Sequence, residues 1–292
     1  MNLNPSVSII IATIIWGLSG VFVKSIALPS TVVAAFRLGI PAFVLGGYLL
    51  YKRYPIIENF SRFLVIVSLL NAIRLFLFLK GLEYTTITLS VLMNYTSPVF
   101  VLLFSVLLLR EKITLRLILV LLSIFVGIGI LFLGHEFFAT SGNLVGCLLM
   151  LGGSIIYAFS IVLLKKHSKG YGYLELLFYQ NILGALIYLP FLLMAVPMIP
   201  GPTFGLSIVY GLTIGLIGFM FYFYGFNRMN VSVSSLLTYF EVVTGILFGV
   251  LLFHETITWR IVVGAIFIIA PLFFVHERKP IAIQKAGSLK IR

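Results

Sequence analysis

The chain of 292 residues is 61% hydrophobic and 10% charged, against roughly 45–50% and about 25% in a soluble globular domain, and that excludes a soluble fold. Its formal charge of +12 would suit a nucleic-acid binder, but the basic residues form short clusters between apolar stretches, with no basic patch interleaved with aromatics, so no nucleic-acid partner is expected. The single cysteine, Cys147, sits in an apolar stretch, which leaves neither a disulfide framework nor a cysteine metal site.

Apolar stretches of about 20 residues, the length that crosses a bilayer as a helix, follow one another along almost the whole chain. The first, starting MNLNPSVSIIIATIIWGLSG, lacks the basic start and small-residue cleavage site of a signal peptide and reads as a retained helix. Charges, Pro and Gly divide the chain into spans Ser6 to Ile26, Thr31 to Tyr51, Phe63 to Leu79, Thr88 to Leu109 and Leu115 to Leu133. Five more run Gly142 to Leu164, Tyr173 to Met194, Phe204 to Phe226, Val231 to Phe253 and Trp259 to Val275. Continuous apolar runs of this length predict helices, since barrel strands are about ten residues with strict alternation. With the N-terminus cytoplasmic, 15 of the 20 basic residues fall on the cytoplasmic side. The positive-inside rule therefore places both termini in the cytoplasm.

Sliding the sequence against itself reveals a repeat. At a constant offset of 144 residues, GLEYTTITLSVLMNYTSPVFVLLFSVLLLREKITLR from Gly81 overlays GFNRMNVSVSSLLTYFEVVTGILFGVLLFHETITWR from Gly225 without a gap. Ser90 matches Ser234, Tyr95 matches Tyr239, and the Glu-x-Ile-Thr-x-Arg loop from Glu111 matches that from Glu255. A weaker echo pairs WGLSGVFVK at Trp16 with YAFSIVLLK at Tyr157, at an offset of 141. An odd number of spans per half predicts that the second copy inserts upside down. The expected fold is thus an all-α membrane protein of ten transmembrane helices in two inverted five-helix repeats, residues 1–137 and 138–276, followed by a basic cytoplasmic tail, 277–292. Inverted repeats predict alternating access around a midplane site.

The repeated unit, SPVFVLLFSVLLLREKIT and FEVVTGILFGVLLFHETIT, together with the opening WGLSGVFVK, resembles the EamA-like family of the drug/metabolite transporter superfamily. The second copy departs from the family's common Glu-Pro pairing, with Val242 after Glu241, which predicts a less kinked ninth helix. The resemblance implies a secondary carrier whose cavity is lined by the first, third, fourth, sixth, eighth and ninth helices.

Polar groups inside spans each need a reason, because a charge at the bilayer centre costs roughly 2.5–3.5 kcal/mol on insertion scales. Arg74 lies three residues after Asn71, which puts both on one face of the third helix. Its guanidinium would offer a planar fork to a carboxylate or phosphate, or would pair with Glu241 or Glu83. Glu241, midway along the ninth span, is read as a cation-binding or proton-coupling carboxylate, with a permanent ion pair as the competing reading. Arg37 is read as an interfacial anchor. Asn94 and Tyr95 on the fourth helix, with Ser90, occupy repeat positions matching Thr238 and Tyr239 on the ninth, as a midplane cavity would require. Trp16, Tyr157, Phe219 and Tyr222 are candidate aromatic walls, and Gln180 and Asn181 candidate lining. The candidate substrate-binding set is therefore Trp16, Asn71, Arg74, Asn94, Tyr95, Tyr157, Tyr222, Tyr239 and Glu241. Gly-x-x-x-Gly at Gly142, Gly211 and Gly245 is expected to pack helices within the monomer, and Pro98 is the candidate gating kink.

The four histidines lie at span ends and no His-Glu-x-x-His or nucleotide-binding loop occurs, so neither catalysis nor a cofactor is expected. The function expected is secondary active transport, as exporter or exchanger, of a small polar metabolite such as an amino acid. An intramembrane lipid-modifying enzyme is the competing reading. The expected partners are the small-molecule substrate, the bilayer of a prokaryotic inner membrane, and a proton or counter-substrate that drives the cycle; the chain would act as a monomer or weak dimer.

Overall fold

A computed structural model describes residues 3–54, 61–84, 93–112, 114–131, 141–167, 171–253 and 259–273. Ser90, Glu255, the tail 277–292 and the outermost ends of several spans lie outside the described residues. Those that are described form helices and turns, with no strand among them. Numbered by span, the helices are α1a (Pro5–Gly17) and α1b (Ser19–Ile26), α2 (Ser30–Tyr51), α3 (Arg62–Tyr84), α4 (Ser97–Leu109), α5 (Leu115–Leu131), α6 (Ser141–His167), α7 (Tyr173–Ala195), α8a (Gly201–Tyr210) and α8b (Phe219–Phe226), α9a (Val231–Leu237) and α9b (Phe240–Phe253), and α10 (Trp259–Leu272). A π-helical stretch, Gly211–Gly218, joins α8a to α8b. Among the described residues, six spans are long and apolar enough to cross a membrane, and four shorter apolar helices accompany them.

The helices start and break where side chains compete for backbone groups. Asn4 caps α1a by accepting from the Ser6 N–H at 2.9 Å, with Pro5 in the first turn, where its missing N–H costs nothing. The fourth span turns at Tyr95 and Thr96, just before Pro98, which cannot donate to the preceding turn. Pro98 therefore opens α4 rather than kinking its middle. The ninth span breaks at the equivalent place, Thr238 and Tyr239, although Val242 stands where the first copy has Pro98. The expectation of a straighter ninth helix fails because hydroxyls do there what proline does in the fourth. Ser234, Ser235 and Thr238 each donate to a carbonyl three residues back, at 2.8, 2.9 and 2.6 Å, and such back-bonding bends helices. Glu241 consequently lies in the first turn of α9b.

Packing follows the repeat. Helix α2 packs on α7, α5 on α10 and α4 on α9, each against its own twin. Every other major pairing has its counterpart in the other half: α3 with α6 and α8 with α1, α4 with α6 and α9 with α1, α3 with α7 and α8 with α2. The twins run antiparallel. Gly46 abuts Phe178 while Gly184 abuts Leu38, so numbers rise on α2 as they fall on α7. Likewise the Ser123 hydroxyl donates to the Phe267 carbonyl at 3.0 Å, and a Cβ on Gly127 would lie 2.7 Å from the Gly264 carbonyl oxygen. Tyr95 and Tyr239, 144 residues apart, meet at this axis, with the Tyr239 hydroxyl donating to the Tyr95 carbonyl at 2.7 Å.

Glycines set how closely helices approach. A Cβ on Gly17 would lie 2.4 Å from Thr244 Oγ1, where α1a meets α9b, and one on Gly215 would lie 2.5 Å from the Arg37 carbonyl. The Gly211 and Gly215 pair thus seats α8 against α2 within the monomer, and Gly81 is seated against Met150 and the Gly146 carbonyl in the same way. Gly17→Leu is expected to cost about 1–3 kcal/mol by overpacking, read as a lower melting temperature in detergent. Outward faces carry exposed Phe43, Leu50, Leu107, Leu148, Leu193 and Met194, an apolar surface that calls for lipid rather than water.

Two carboxylates tie the halves together. Glu111 accepts from the Val231 and Ser232 N–H groups at 3.2 and 3.4 Å and from the Ser232 hydroxyl at 2.6 Å. Glu175 accepts from the Tyr54 hydroxyl at 2.8 Å and from the Gly172 N–H at 2.9 Å. Burial and the Glu175 carboxylate push the Tyr54 phenol well above its ordinary range.

Candidate functional site

A small cleft opens between α2, α3, α7 and α8b, lined by Arg37, Leu38, Asn71, Arg74, Leu75, Gln180, Asn181 and Phe219. The one-face placement of Asn71 and Arg74 brings both into it. The Asn71 amide donates to the Gln180 carbonyl at 3.2 Å, and the Ser68 hydroxyl, one turn earlier, donates to the same oxygen at 3.3 Å. The Leu183 N–H donates back to Ser68 at 3.1 Å. These bonds fix the rotation of α3 against α7 and hold Arg74 at the cleft.

Arg74 lies with its guanidinium carbon 4.9 Å from the centre of the Tyr157 ring, within cation–π range. Arg37 approaches the cleft from α2, 5.9 Å over the Phe219 ring. Trp16 packs on Phe219 and Tyr222 at centroid distances of 4.7 and 5.2 Å, and the Tyr157 and Tyr222 hydroxyls are 3.4 Å apart. The repeat twins Trp16 and Tyr157 thus both touch Tyr222, and together with Phe219 they wall the two guanidiniums.

Glu241, the third charged candidate, lies outside the cleft lining. Its field reaches Arg37, Arg74, Tyr95 and Tyr157, yet neither arginine forms a salt bridge with it, so a permanent ion pair between Glu241 and either arginine is not what the described residues contain. The first turn of α9b gives its carboxylate the positive end of a helix dipole. Three buried polar atoms here lack hydrogen-bond partners: Arg74 Nε, Trp16 Nε1 and Gln180 Oε1. Arg74 and Gln180 line the cleft, whereas Trp16 Nε1 lies against Gly218, and buried polar atoms without partners are costly unless something else satisfies them. The cleft itself measures only about 10 Å³, room for one water at most. Nothing larger fits the cleft as it stands.

Sequence reasoning about the remaining candidates divides. Tyr95 and Tyr239 meet in a tilted pair at 5.8 Å where α4 meets α9 and pack into the apolar cluster of Leu102, Ile124, Leu236 and Ile268, outside the cleft lining. Tyr239 is fully buried. Asn94 is half-buried just before the turn that opens α4, also outside the lining. Arg37, read as an interfacial anchor, instead lines the cleft; the available signal was its apolar context, VVAAFRLGIPAF, on both sides. The lining also uses the second and seventh helices, beyond those implied by the resemblance, because the cleft straddles the antiparallel α2–α7 contact.

These features agree with what the chain resembles. No curated protein matches it. Among solved structures, a protein described only as a crystal structure superposes with a TM-score of 0.74 at 16% identity, over 92% of this chain and 94% of the other, a likeness of fold alone. The model of the EamA-like transporter family matches residues 5–133 and again 144–276, one match for each half. The chain is a multi-pass membrane protein and belongs to the EamA-like transporter family.

Proposed function

We propose that the protein is a secondary active transporter, an exporter or exchanger of a small polar metabolite of the amino-acid type, working by alternating access in a prokaryotic inner membrane with ten transmembrane helices in two inverted repeats. One observation carries this reading: beside the contact of the antiparallel twins α2 and α7, a small cleft holds Arg37 and Arg74 against the rings of Phe219 and Tyr157, with the buried Arg74 Nε donor unpartnered. Two halves that exchange their packing can open that cleft to either side in turn. A carboxylate is the acceptor that suits a guanidinium fork, and an ammonium is the counterpart of Glu241. Residues 1–137 and 138–276 form the two moving units.

The test of binding is thermal stabilisation of the purified protein by a panel of amino acids, nucleosides, sugars and organic acids. A ligand that favours the folded state raises the melting temperature with its concentration, and the expected hits are amino acids or organic acids. Hits confined to sugars or nucleosides would contradict the cargo assignment. Both termini are expected in the cytoplasm, and an epitope tag on either terminus that reacts from outside intact cells would contradict that orientation.

A further inference from the structure

Three carboxamide side chains line the cleft, Asn71, Gln180 and Asn181, and all three residues are buried. Two of them are committed to the backbone of α7: the Asn71 amide donates to the Gln180 carbonyl at 3.2 Å, and the Asn181 amide to the Leu177 carbonyl at 2.7 Å. Gln180 differs. Its backbone carbonyl takes the bonds from Ser68 and Asn71 that join α3 to α7, while its side chain, on a residue only 4% exposed, keeps an Oε1 without a partner. The Arg74 Nε–H, on the same lining, is open as well. A buried acceptor and a buried donor left open in one cleft call for a ligand that brings the opposite of each. A guanidinium takes a carboxylate, and a carboxamide oxygen takes an N–H or O–H. Because the cleft measures only about 10 Å³, the two ligand groups must sit on neighbouring atoms.

We propose that Gln180 is the specificity-determining residue of the carrier, its Oε1 accepting a hydrogen bond from an amino or hydroxyl group on the α carbon of a cargo whose carboxylate lies on Arg74. This rests on the carrier reading above, which supplies the widening that admits the cargo, and names the part of the cargo that the site reads. The cargo class becomes the α-amino and α-hydroxy carboxylates. A plain carboxylate of the same shape is rejected, because it would bury the Gln180 oxygen unmet. Gln180 is a neutral acceptor inside the lining, so it takes an ammonium and a hydroxyl alike, whereas a carboxylate reader such as Glu241 would demand the ammonium. The bonds that hold α3 to α7 use the backbone of Gln180 and not its side chain, so that side chain can be exchanged without loosening them.

The experiment is counterflow in proteoliposomes of the full chain with labelled L-alanine, L-lactate, L-leucine and the α-hydroxy analogue of leucine, each challenged by unlabelled competitors. The competitors form two isosteric triplets: L-alanine, L-lactate and propionate, and L-leucine, its α-hydroxy analogue and 4-methylpentanoate. In the wild type the amino and hydroxy acids of a triplet are expected to inhibit at similar concentrations, and the plain acid at least about tenfold more weakly. Gln180→Met keeps the length of the side chain and removes its oxygen, so it should close that gap to about threefold or less. Gln180→Leu repeats the test with a second apolar side chain if the methionine is not tolerated. A merely structural role for Gln180 would weaken all three competitors alike and leave the gap. The proposal is overturned by a wild type that takes the plain acid as well as the other two, or by Gln180→Met and Gln180→Leu both keeping the wild-type gap. It is also overturned by rejection of the hydroxy acid together with the plain acid, which would give the reading to a charged carboxylate. Each of those results leaves a working carrier. Absence of counterflow for every compound, from protein that is folded and reconstituted, would instead remove the carrier reading beneath it.

Discussion

Arg74→Ala is expected to reduce transport of the cognate cargo by about 30-fold or more, since truncating one partner of a buried charge pair costs about 2–5 kcal/mol. The variant should still fold. Arg74 forms no salt bridge with Glu241, and the bonds that hold α3 to α7 run through Ser68, Asn71 and Tyr188 instead. Removing the guanidinium deletes the Tyr157 contact and an orphaned Nε–H without breaking that framework. The check is initial uptake in proteoliposomes beside gel filtration and melting temperature. Unchanged uptake by a folded Arg74→Ala would contradict the site, whereas loss of both fold and uptake would make Arg74 a structural residue.

The second large effect concerns stability. Glu111 caps the start of α9a with three hydrogen bonds from Val231 and Ser232, and the Ser232 hydroxyl continues to Ser105 at 2.8 Å. Hydrogen bonds to a charged group contribute about 1.5–3 kcal/mol, so Glu111→Ala should lose at least that much, with a clear fall in melting temperature. Glu111→Gln, which keeps an acceptor oxygen, should lose less. Tyr54→Phe, which deletes the Tyr54–Glu175 tie between the halves, should cost about 1 kcal/mol. A melting temperature for Glu111→Ala equal to wild type would show that the cap carries no net stability.

Much of this architecture was legible in the sequence, because bilayer thickness acts directly on composition. The offset of 144 residues announced that Tyr95 and Tyr239 are twins. What it could not announce is that twins meet on the axis: sitting at matching depths suits a cavity and a packing contact equally, and the structure gives them the contact. Asn71 and Arg74 were readable together because a spacing of three fixes a shared helix face. The break before Glu241 was not, since it comes from three hydroxyls turning back on their own helix, while the absence of proline at Val242 pointed the other way. The division of the first span at Gly17 and Leu18 and the π-helical stretch in the eighth were likewise hidden; both lie where glycine admits a neighbouring helix, a relation between distant segments. Arg37 was misplaced for a related reason. Distance from the span's end allowed its long stem to reach the interface, and only the approach of Phe219 from α8b shows that it turns inward.

The most direct test of the central claim, a carrier that alternates around the Arg37 and Arg74 cleft, is trans-stimulation in proteoliposomes. Labelled cargo outside vesicles should enter along a saturable curve, faster when unlabelled cargo is inside, and Arg74→Ala should abolish the stimulation. Entry that rises linearly with concentration, ignores what the vesicles contain and survives Arg74→Ala would contradict alternating access and the cleft together.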